Sequence, residues 1–344
     1  MNHRLYPLPQ AKPEAGEQTA SGAEVNPWIR SQPLDSMSVE QELASIAPDR
    51  HSILSIGVFD GVHTGHRYLL GRLVQRAREE AALSGVVTFA PHPQAVLNPG
   101  SRPPMLCDLS TRIKSLRELG LSIIAVLSFT PELAQLSARD FVWLLKKHLK
   151  MQELMIGPNF VLGKGGEGDT AFLRLLGQEM AFSLEIVAPF SINGAMVSST
   201  AIRQALAQGD TKKVSRLIGR FFAVRGRVVS NSRRGRLLGF PTANLDIGME
   251  QALPVNGVYA TITQIDDERL LSVTNIGTRP TFGNSQKTVE THLVDYHGDL
   301  YGKELEVSFV QRLRDERSFA SPQELTEQIG RDIEDARAVA GELK

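Results

Sequence analysis

Cysteine is almost absent from this sequence of 344 residues, in which Cys107 stands alone. One thiol excludes an internal disulfide and a cysteine-rich zinc site, and it is typical of a protein kept in a reducing cytoplasm. No apolar run approaches the roughly 18 residues needed to span a bilayer, and residues 1–48 have no apolar core of signal-peptide length. The sequence therefore predicts a cytoplasmic protein without membrane association.

Net charge is absent as well, because 38 basic residues balance 38 acidic residues. Without a field of one sign, the molecule as a whole is not drawn to nucleic acid or anionic lipid, and no helix-turn-helix motif is recognisable. Any anion site must then be local. We predict small-molecule substrates, no nucleic acid and no obligate protein partner.

The chain is long enough for two domains, since single hydrophobic cores usually stop growing below this length. Residues 51–208 alternate short apolar runs with helical periodicity, which predicts an α/β fold with a Rossmann-like parallel sheet. Closely spaced apolar segments after residue 220 predict a small antiparallel barrel or sandwich, closed by a helix over residues 322–340. The predicted boundaries are a flexible extension at 1–48, a first domain at 49–208, a linker at 209–219 and a second domain at 220–344.

Individual elements follow from the same patterns. The predicted strands are residues 53–59, 86–89, 123–127, 154–156 and 184–187 in the first domain, and 222–229, 258–265, 270–275, 288–296 and 305–313 in the second. Helices are predicted near residues 70–81, 111–119, 138–149 and 170–182, with one short helix at 39–46 in the extension.

The segment GVFDGVHTGH at residues 57–66 joins the first predicted strand to the first predicted helix. A glycine turn leading into a helix presents free backbone N–H groups and the positive end of the helix dipole, which together favour a phosphate. His63 and His66 are three residues apart, so both can face one phosphate and stabilise charge that develops there. The alternatives are a metal-binding pair or two surface histidines, although no acidic or cysteine ligand accompanies them at metal-site spacing.

These residues resemble the HxGH signature of the adenylyl and cytidylyl transferase superfamily. Three further segments are similar, in order, to the FAD synthetase module of bacterial bifunctional riboflavin kinase/FAD synthetases: TFAPHP at 88–93, GPNFVLG at 157–163 and SSTAIR at 198–203. A serine or threonine of the last segment would cap a helix, with Arg203 in its first turn to grip phosphate. Many family members have Asp in place of Asn159, and Phe is common in place of Leu162.

The segment GRLLGFPTAN at residues 235–244 is the second phosphate-site candidate. Glycine-rich turns let backbone N–H groups approach phosphate, and Pro241 fixes the backbone just before Thr242. The Thr242 hydroxyl and the Asn244 amide oxygen are hard ligands that suit Mg²⁺. The alternative is a loop between strands with a basic surface.

This segment resembles the riboflavin kinase signature, whose centre is GFPTAN. The segments PVNGVY at 254–259, NIGTRPTF at 275–282 and VETHL at 289–293 follow in the order of that module, and DLYG at 299–302 and LRDE at 313–316 complete the resemblance. One departure is Asn231, which stands where many relatives have glycine.

The resemblance covers residues 52–337 and implies two reactions that use ATP and Mg²⁺. The C-terminal module would transfer the γ-phosphoryl group of ATP to riboflavin, giving FMN, and the N-terminal module would transfer AMP to FMN, giving FAD and pyrophosphate. The implied catalytic residues are His63, His66, Arg203 and the base Glu290; the ATP and phosphate contacts are Gly57, Phe59, Asp60, Gly61, Gly65, Ser199, Thr200, Gly235, Arg236, Gly239 and Pro241. The implied flavin contacts are His92, Asn159, Asn275, Arg279 and Arg314, and the metal ligands are Thr242 and Asn244.

Several alternatives stay open from the residues alone. His92 could simply belong to a structural turn, Glu290 could be a solvated strand glutamate, and Arg314 could lie at a pocket rim. For the whole chain, the alternatives are a riboflavin kinase with a weakened adenylyltransferase module, motivated by Asn159 and Leu162, and a flavin-binding regulatory protein without turnover.

Overall fold

The computed structural model describes residues 26, 28–33, 37–229, 240–281 and 284–343, with the backbone alone at 279–281 and 284–286. The chain divides into two compact units between Ser198 and Ser199. The sequence predicts this boundary about ten residues later, at the end of the helix that begins at Ser199. No helix in the described part of the chain is long and apolar enough to cross a membrane.

The first unit is built on a parallel sheet of five strands in the order β3-β2-β1-β4-β5. Its strands are β1 Ser52–Ile56, β2 Leu83–Ala90, β3 Ile123–Ser128, β4 Met151–Ile156 and β5 Ser183–Ile186, followed by a small hairpin of β6 Ser191–Ile192 and β7 Ala195–Met196. Its helices are α1 Val39–Ala44, α2 Thr64–Glu79, α3 Pro93–Leu97, α4 Leu109–Arg117, α5 Pro131–Ala134, α6 Ala138–Leu149 and α7 Thr170–Met180. Separate apolar clusters pack on the two faces of the sheet, which is why nearly every residue of its central strands is buried. The predicted Rossmann-like parallel fold is confirmed.

The strand order reverses between β1 and β4, and this reversal decides where a ligand can bind. In an open parallel sheet the crevice lies outside the carboxyl ends of the strands at such a switch point. The segment at residues 57–66 leaves β1, and the segment at 157–163 leaves β4. Two motifs that lie about a hundred residues apart in sequence therefore flank one crevice.

Part of the N-terminal segment covers the edge of this sheet. Arg30 donates its backbone N–H to the Ile124 carbonyl at 2.8 Å, and the Ile124 N–H bonds to the Trp28 carbonyl at 3.1 Å. The buried carboxylate of Glu42 in α1 accepts from the Ser128 hydroxyl at 2.7 Å. The structure differs here from the predicted flexible extension. The edge of β3 offers unpaired backbone groups to the N-terminal segment, and the pattern of apolar residues in a sequence does not show such backbone pairing. Residues 1–25 of that extension lie outside the described residues.

The second unit is a closed antiparallel barrel in the order β10-β11-β12-β9-β8-β13. Its elements are α8 Ser199–Gln208, α9 Thr211–Ile218, β8 Phe222–Val229, β9 Ala243–Asp246, β10 Gly257–Ile265, β11 Glu268–Thr281, β12 Asn284–Leu293, β13 Glu304–Arg314 and α10 Pro322–Gly341. A barrel, and not a sandwich, is thus present, and the predicted closing helix is confirmed. The predicted linker contains α9, which is capped by Asp210 and buries Val214, Leu217 and Ile218.

The two faces of the barrel wall carry different side chains. Inside, the buried hydroxyls of Thr261, Ser272, Thr274 and Thr291 form a hydrogen-bonded chain with O···O distances of 2.7 to 2.9 Å. Outside, an apolar cluster joins α10 to β10 and β11, with Val258, Ala260, Leu271, Val273, Ile333, Ala336 and Ala340 among its members. Alternation along each strand therefore tells which residues face out.

Candidate active sites

His63 forms the N-terminal cap of α2 and so fixes its own ring. Its Nδ1 atom accepts the backbone N–H of His66 at 3.2 Å. A neutral imidazole whose Nδ1 accepts carries its proton on Nε2, so this ring offers an Nε2–H donor. The preceding turn reaches this cap through Phe59, which has a left-handed backbone with φ of 51°.

The His63 and His66 rings are stacked, with centroids 3.6 Å apart and planes 15° from parallel. A Cβ atom added at Gly65 would lie 3.2 Å from the His63 ring, so glycine allows this close approach. The Phe59 ring meets His66 edge-on at 5.3 Å. Since only 5% of His63 is exposed, the alternative of two surface histidines is wrong. The stack places two imidazoles at the start of a helix beside the crevice.

Burial keeps His66 uncharged. Burial, and secondly the neighbouring His63, holds the pKa of His66 well below the usual 6.5. A neutral His66 ring still carries one N–H group that can donate a hydrogen bond to a phosphate oxygen. In the part of the chain that the structure describes, no three His, Cys, Asp or Glu side chains gather into a metal-binding group.

This low pKa predicts a pH-dependent stability. The unfolded chain binds more protons than the folded chain at pH values between the folded pKa and the usual 6.5 of the unfolded histidine. The contribution of His66 to the free energy of unfolding is therefore full above 6.5 and is lost as the pH falls toward the folded pKa. We expect His66→Asn to be less acid-sensitive than the unaltered chain in urea unfolding at about pH 7.5 and about pH 5.5. An identical pH dependence in both proteins would contradict the assigned pKa.

Asp60 holds a neighbouring loop. Its carboxylate accepts the backbone N–H of Leu106 at 2.9 Å and of Cys107 at 3.4 Å, while the Gly61 N–H donates to the Cys107 sulfur at 3.3 Å. A buried carboxylate held by backbone donors positions a loop and would repel an anion, and the predicted phosphate contact of Asp60 stays a prediction. Gly57 and Gly61 lie in the same turn, and their phosphate contacts stay predictions.

The loop after β4 is tied to the start of α6. Leu162 pairs with Gly168 through two backbone hydrogen bonds of 3.1 and 2.9 Å, and the Lys164 N–H bonds to the Leu136 carbonyl at 2.9 Å. Leu162 is buried in the core, whereas Asn159 is exposed at the turn that follows β4. The replacement of Phe by Leu at 162 is thus a packing change, and the missing charge at Asn159 is the departure that faces solvent.

The loop requires glycine at position 163. Its φ is 79°, and an added Cβ atom would lie 2.5 Å from the Ala138 backbone nitrogen. We expect Gly163→Ala to lower the free energy of unfolding by about 3 kcal/mol, from left-handed strain plus overpacking. Gly165 is the matched control, since its φ is 65° and no atom lies within 4 Å, so Gly165→Ala should cost only about 1 kcal/mol. Equal losses in urea unfolding would show that the close contact is unimportant.

Other predicted residues of the adenylyltransferase site have simpler surroundings. His92 caps α3, because its Nδ1 accepts the Gln94 N–H at 3.1 Å. A structural role is therefore present, and the flavin contact stays a prediction. Ser199, Thr200 and Arg203 lie at the start of α8, in the second unit, with Thr200 exposed and the other two half-buried. Their predicted phosphate contacts also remain predictions.

Three predicted residues of the kinase site lie in one row across the barrel wall. Glu290 of β12 is directly opposite Asn275 of β11 on one side and Asn244 of β9 on the other. Directly opposite residues of antiparallel strands share a face. All three are half-buried and alternate with buried interior residues such as Thr274, so the row is on the outer face.

His292 extends this row toward the GFPTAN segment. Its Nδ1 lies 2.9 Å from the Pro241 carbonyl oxygen, and its ring meets Phe240 edge-on at 5.5 Å. Because a carbonyl only accepts, His292 must donate from Nδ1. This contact holds the peptide before Thr242, which is exposed. His292 lies within the VETHL motif, but the motif alone predicts no role for it.

Glu316 and Asn256 also reach the row and were not predicted as site residues. The Asn256 amide nitrogen donates to Glu316 at 3.0 Å and to the Thr278 hydroxyl at 2.9 Å, and the Asn275 amide nitrogen lies 3.5 Å from Glu316. Both residues lie inside family motifs, LRDE and PVNGVY, so the sequence marks them as candidates. It does not show that they contact each other.

Arg314 has protein partners, and its predicted flavin contact stays a prediction. Its guanidinium forms two hydrogen bonds of 2.8 and 2.7 Å with the buried Asp332 carboxylate of α10. This bidentate pair pins the closing helix to β13. Gly235, Arg236 and Gly239, together with Asn231, lie outside the described residues, as does the side chain of Arg279.

The first domain is a parallel sheet with a histidine-capped helix at its switch point, and the second is a barrel with a carboxylate between two amides. Together they define a two-domain enzyme that transfers phosphoryl or nucleotidyl groups. The FAD synthetase family model matches residues 45–201, and the riboflavin kinase family model matches residues 218–340. The chain belongs to the family of bifunctional riboflavin kinase/FMN adenylyltransferases. It is accordingly a transferase with a FAD synthetase domain and a riboflavin kinase domain, and the resemblance predicted from its motifs is confirmed.

Relatives of that name match over nearly their whole length. The chain is 39% identical over 302 residues to the bifunctional riboflavin kinase/FMN adenylyltransferase of Escherichia coli (strain K12), covering 87% of this chain and 96% of the relative. Identity is 38% to the Pseudomonas fluorescens protein, covering 88% and 98%, and 32% to that of Bacillus subtilis (strain 168), covering 83% and 91%. A crystal structure named as the macrolide-efflux protein from Streptococcus pneumoniae is 28% identical, with a TM-score of 0.78 over 84% of this chain and 95% of that one.

Proposed function

We propose that the barrel domain phosphorylates riboflavin and that the parallel-sheet domain then joins AMP to the resulting FMN. The observations that carry this proposal are a stacked histidine pair at a helix start in one domain and, in the other, a glutamate that lies in register between two asparagines; we assign phosphate handling to both places. The order follows from the chemistry, since the product of the first reaction is the nucleophile of the second.

Glu290 acts as the base in the kinase site. Its half-buried carboxylate takes the proton of the ribityl hydroxyl while that oxygen forms its bond to the γ-phosphorus and the bond to ADP breaks. Asn275 and Asn244 flank it and fix its position along β12.

The donor set beside Glu290 fits Mg²⁺. Thr242 precedes β9, and Asn244 within it lies directly opposite Glu290, so the two proposed ligands, a hydroxyl and an amide oxygen, come from the segment next to the proposed base. These are hard oxygen ligands, and Mg²⁺ needs few of them when ATP phosphates supply the rest. Mg²⁺ bound there would neutralise charge on the phosphates. Pro241 sets the backbone that presents Thr242.

His63 and His66 stabilise the transition state of adenylyl transfer. Their N–H groups donate to oxygens of the α-phosphate as an FMN phosphate oxygen bonds to the α-phosphorus and the bond to pyrophosphate breaks. No covalent enzyme intermediate is required, because the FMN phosphate is itself the nucleophile. The family resemblance also assigns phosphate contacts to Ser199, Thr200 and Arg203 and flavin contacts to His92 and Asn159. The cytoplasm, which suits the single thiol and supplies ATP, is the proposed location.

A time course on the purified chain tests the whole proposal. Riboflavin, ATP and Mg²⁺ are added, and riboflavin, FMN and FAD are separated by chromatography; we expect FMN first and FAD after it. A second reaction starts from FMN and ATP and should release pyrophosphate with FAD. If riboflavin is converted to FMN but neither reaction yields FAD, the protein is a riboflavin kinase without adenylyltransferase activity. No turnover of any flavin would favour a flavin-binding protein instead.

A further inference from the structure

Arg112 is a buried cation at the carboxyl edge of the first sheet, on helix α4. Only 3% of the residue is exposed. Its Nη1 donates to the Val58 carbonyl at 2.7 Å, to the Phe89 carbonyl at 3.2 Å and to the Thr88 hydroxyl at 3.3 Å. One nitrogen thus joins three acceptors from two separate segments.

Both segments lead directly into the adenylyltransferase motifs. Val58 precedes Phe59, whose left-handed backbone turns the chain toward His63 and whose ring meets His66 at 5.3 Å. Phe89 stands at the end of β2, just before the segment that contains His92. Thr88 reinforces the junction, because its hydroxyl donates to the same Val58 carbonyl at 3.2 Å.

The charge of Arg112 is costly where it stands. Burial lowers the pKa of its guanidinium, and nearby Cys107, Asp60 and Asp108 oppose that effect. Its Nε atom is buried with no hydrogen-bond partner among the described residues. Apolar side chains of similar volume often replace buried ions without loss of stability, so stability alone gives little reason for an arginine here.

We propose that Arg112 is a positioning residue for adenylyl transfer. By drawing the Val58 and Phe89 carbonyls to one nitrogen, it fixes the turn that carries Phe59 and thereby the direction of the His66 ring. Misplacement of a reacting group by about 1 Å can cost about 100-fold in rate, so a modest shift of this turn is enough to matter. The inference rests on the proposed roles of His63 and His66.

The test compares three variants of the full chain. Arg112→Met removes all three donated bonds, and Arg112→Lys keeps the charge and part of the bonding. Arg117→Met is the matched control, because Arg117 lies on the same helix but is exposed and donates to Ser31 instead. We expect Arg112→Met to lower kcat for FAD formation about 30-fold, Arg112→Lys about fivefold and Arg117→Met not at all.

Three readouts separate positioning from folding. Riboflavin kinase activity of the same molecules should stay within about twofold, since positioning acts on one domain only. The imidazole NMR signals of His63 and His66 should move in Arg112→Met and stay in place in Arg117→Met. KM for FMN should change much less than kcat, because the flavin contacts are not altered.

Specific results would overturn the proposal. Full adenylyltransferase activity in a folded Arg112→Met protein would do so, as would loss of folding in both Arg112 variants, which would make the residue purely structural. If His66→Ala retains FAD formation, the proposed role of the histidines fails instead. If His66→Ala is inactive while Arg112→Met is fully active, only the inference about Arg112 fails.

Discussion

The Glu290→Gln variant is expected to phosphorylate riboflavin about 1,000-fold more slowly than the unaltered chain, which is within the usual contribution of a general base. The amide keeps the shape of the side chain and its place between Asn244 and Asn275, but it cannot take the hydroxyl proton. FAD formation from added FMN should be unchanged, because the histidine pair belongs to the other domain. Initial rates of FMN formation from riboflavin and of FAD formation from FMN measure both effects.

Glu304→Gln is the control for this experiment. Glu304 is an exposed glutamate at the start of β13, away from the row, so its loss should leave both rates unchanged. A Glu290→Gln protein that still forms FMN at a rate near normal would remove Glu290 as the base. The glutamate would then be one of the solvated strand residues considered from the sequence.

The second large effect is expected from His66→Ala, which should lower kcat for FAD formation about 300-fold, in the range known for removal of one preorganised donor. His66 is a cleaner target than His63, because the His63 side chain also caps α2 and its removal would weaken the helix by about 1 kcal/mol. Riboflavin phosphorylation should persist. Pyrophosphate release from FMN and ATP gives the rate directly.

His51→Ala provides the comparison, since His51 is exposed immediately before β1 and lies outside the stack. Both variants lose one imidazole from the same part of the chain. Equal rates of FAD formation in the two proteins would mean that the His63–His66 stack serves packing and not transfer.

Much of the fold could be predicted because its signals are local. Five parallel strands, most of the barrel strands and the closing helix follow from apolar periodicity. Strand β9 was not predicted, because four residues next to Pro241 are too few for a period. Helix α9 lies in the segment predicted as a linker, although its Asp210 cap and Gly219 end are ordinary helix signals.

The partners of the site residues could not be predicted, because they come from distant positions. Asp60 bonds to a backbone group 46 residues away, and Arg112 to one 54 residues away. A sequence motif predicts which side chain belongs to a site. It does not predict which hydrogen-bond donor or acceptor lies next to that side chain in the folded protein. For this reason Asp60 was assigned to phosphate and Arg314 to flavin, while each is bound to protein in the structure.

The row across the barrel wall makes kinase chemistry depend on strand alignment as much as on side-chain identity. A slip of β12 by one residue would turn the Glu290 carboxylate into the hydroxyl-lined interior and bring Thr291 out. A slip of two residues would restore its direction but move it about 7 Å along the strand, away from both asparagines. A single-residue insertion early in β12 would therefore silence this domain with every catalytic group still present in the chain.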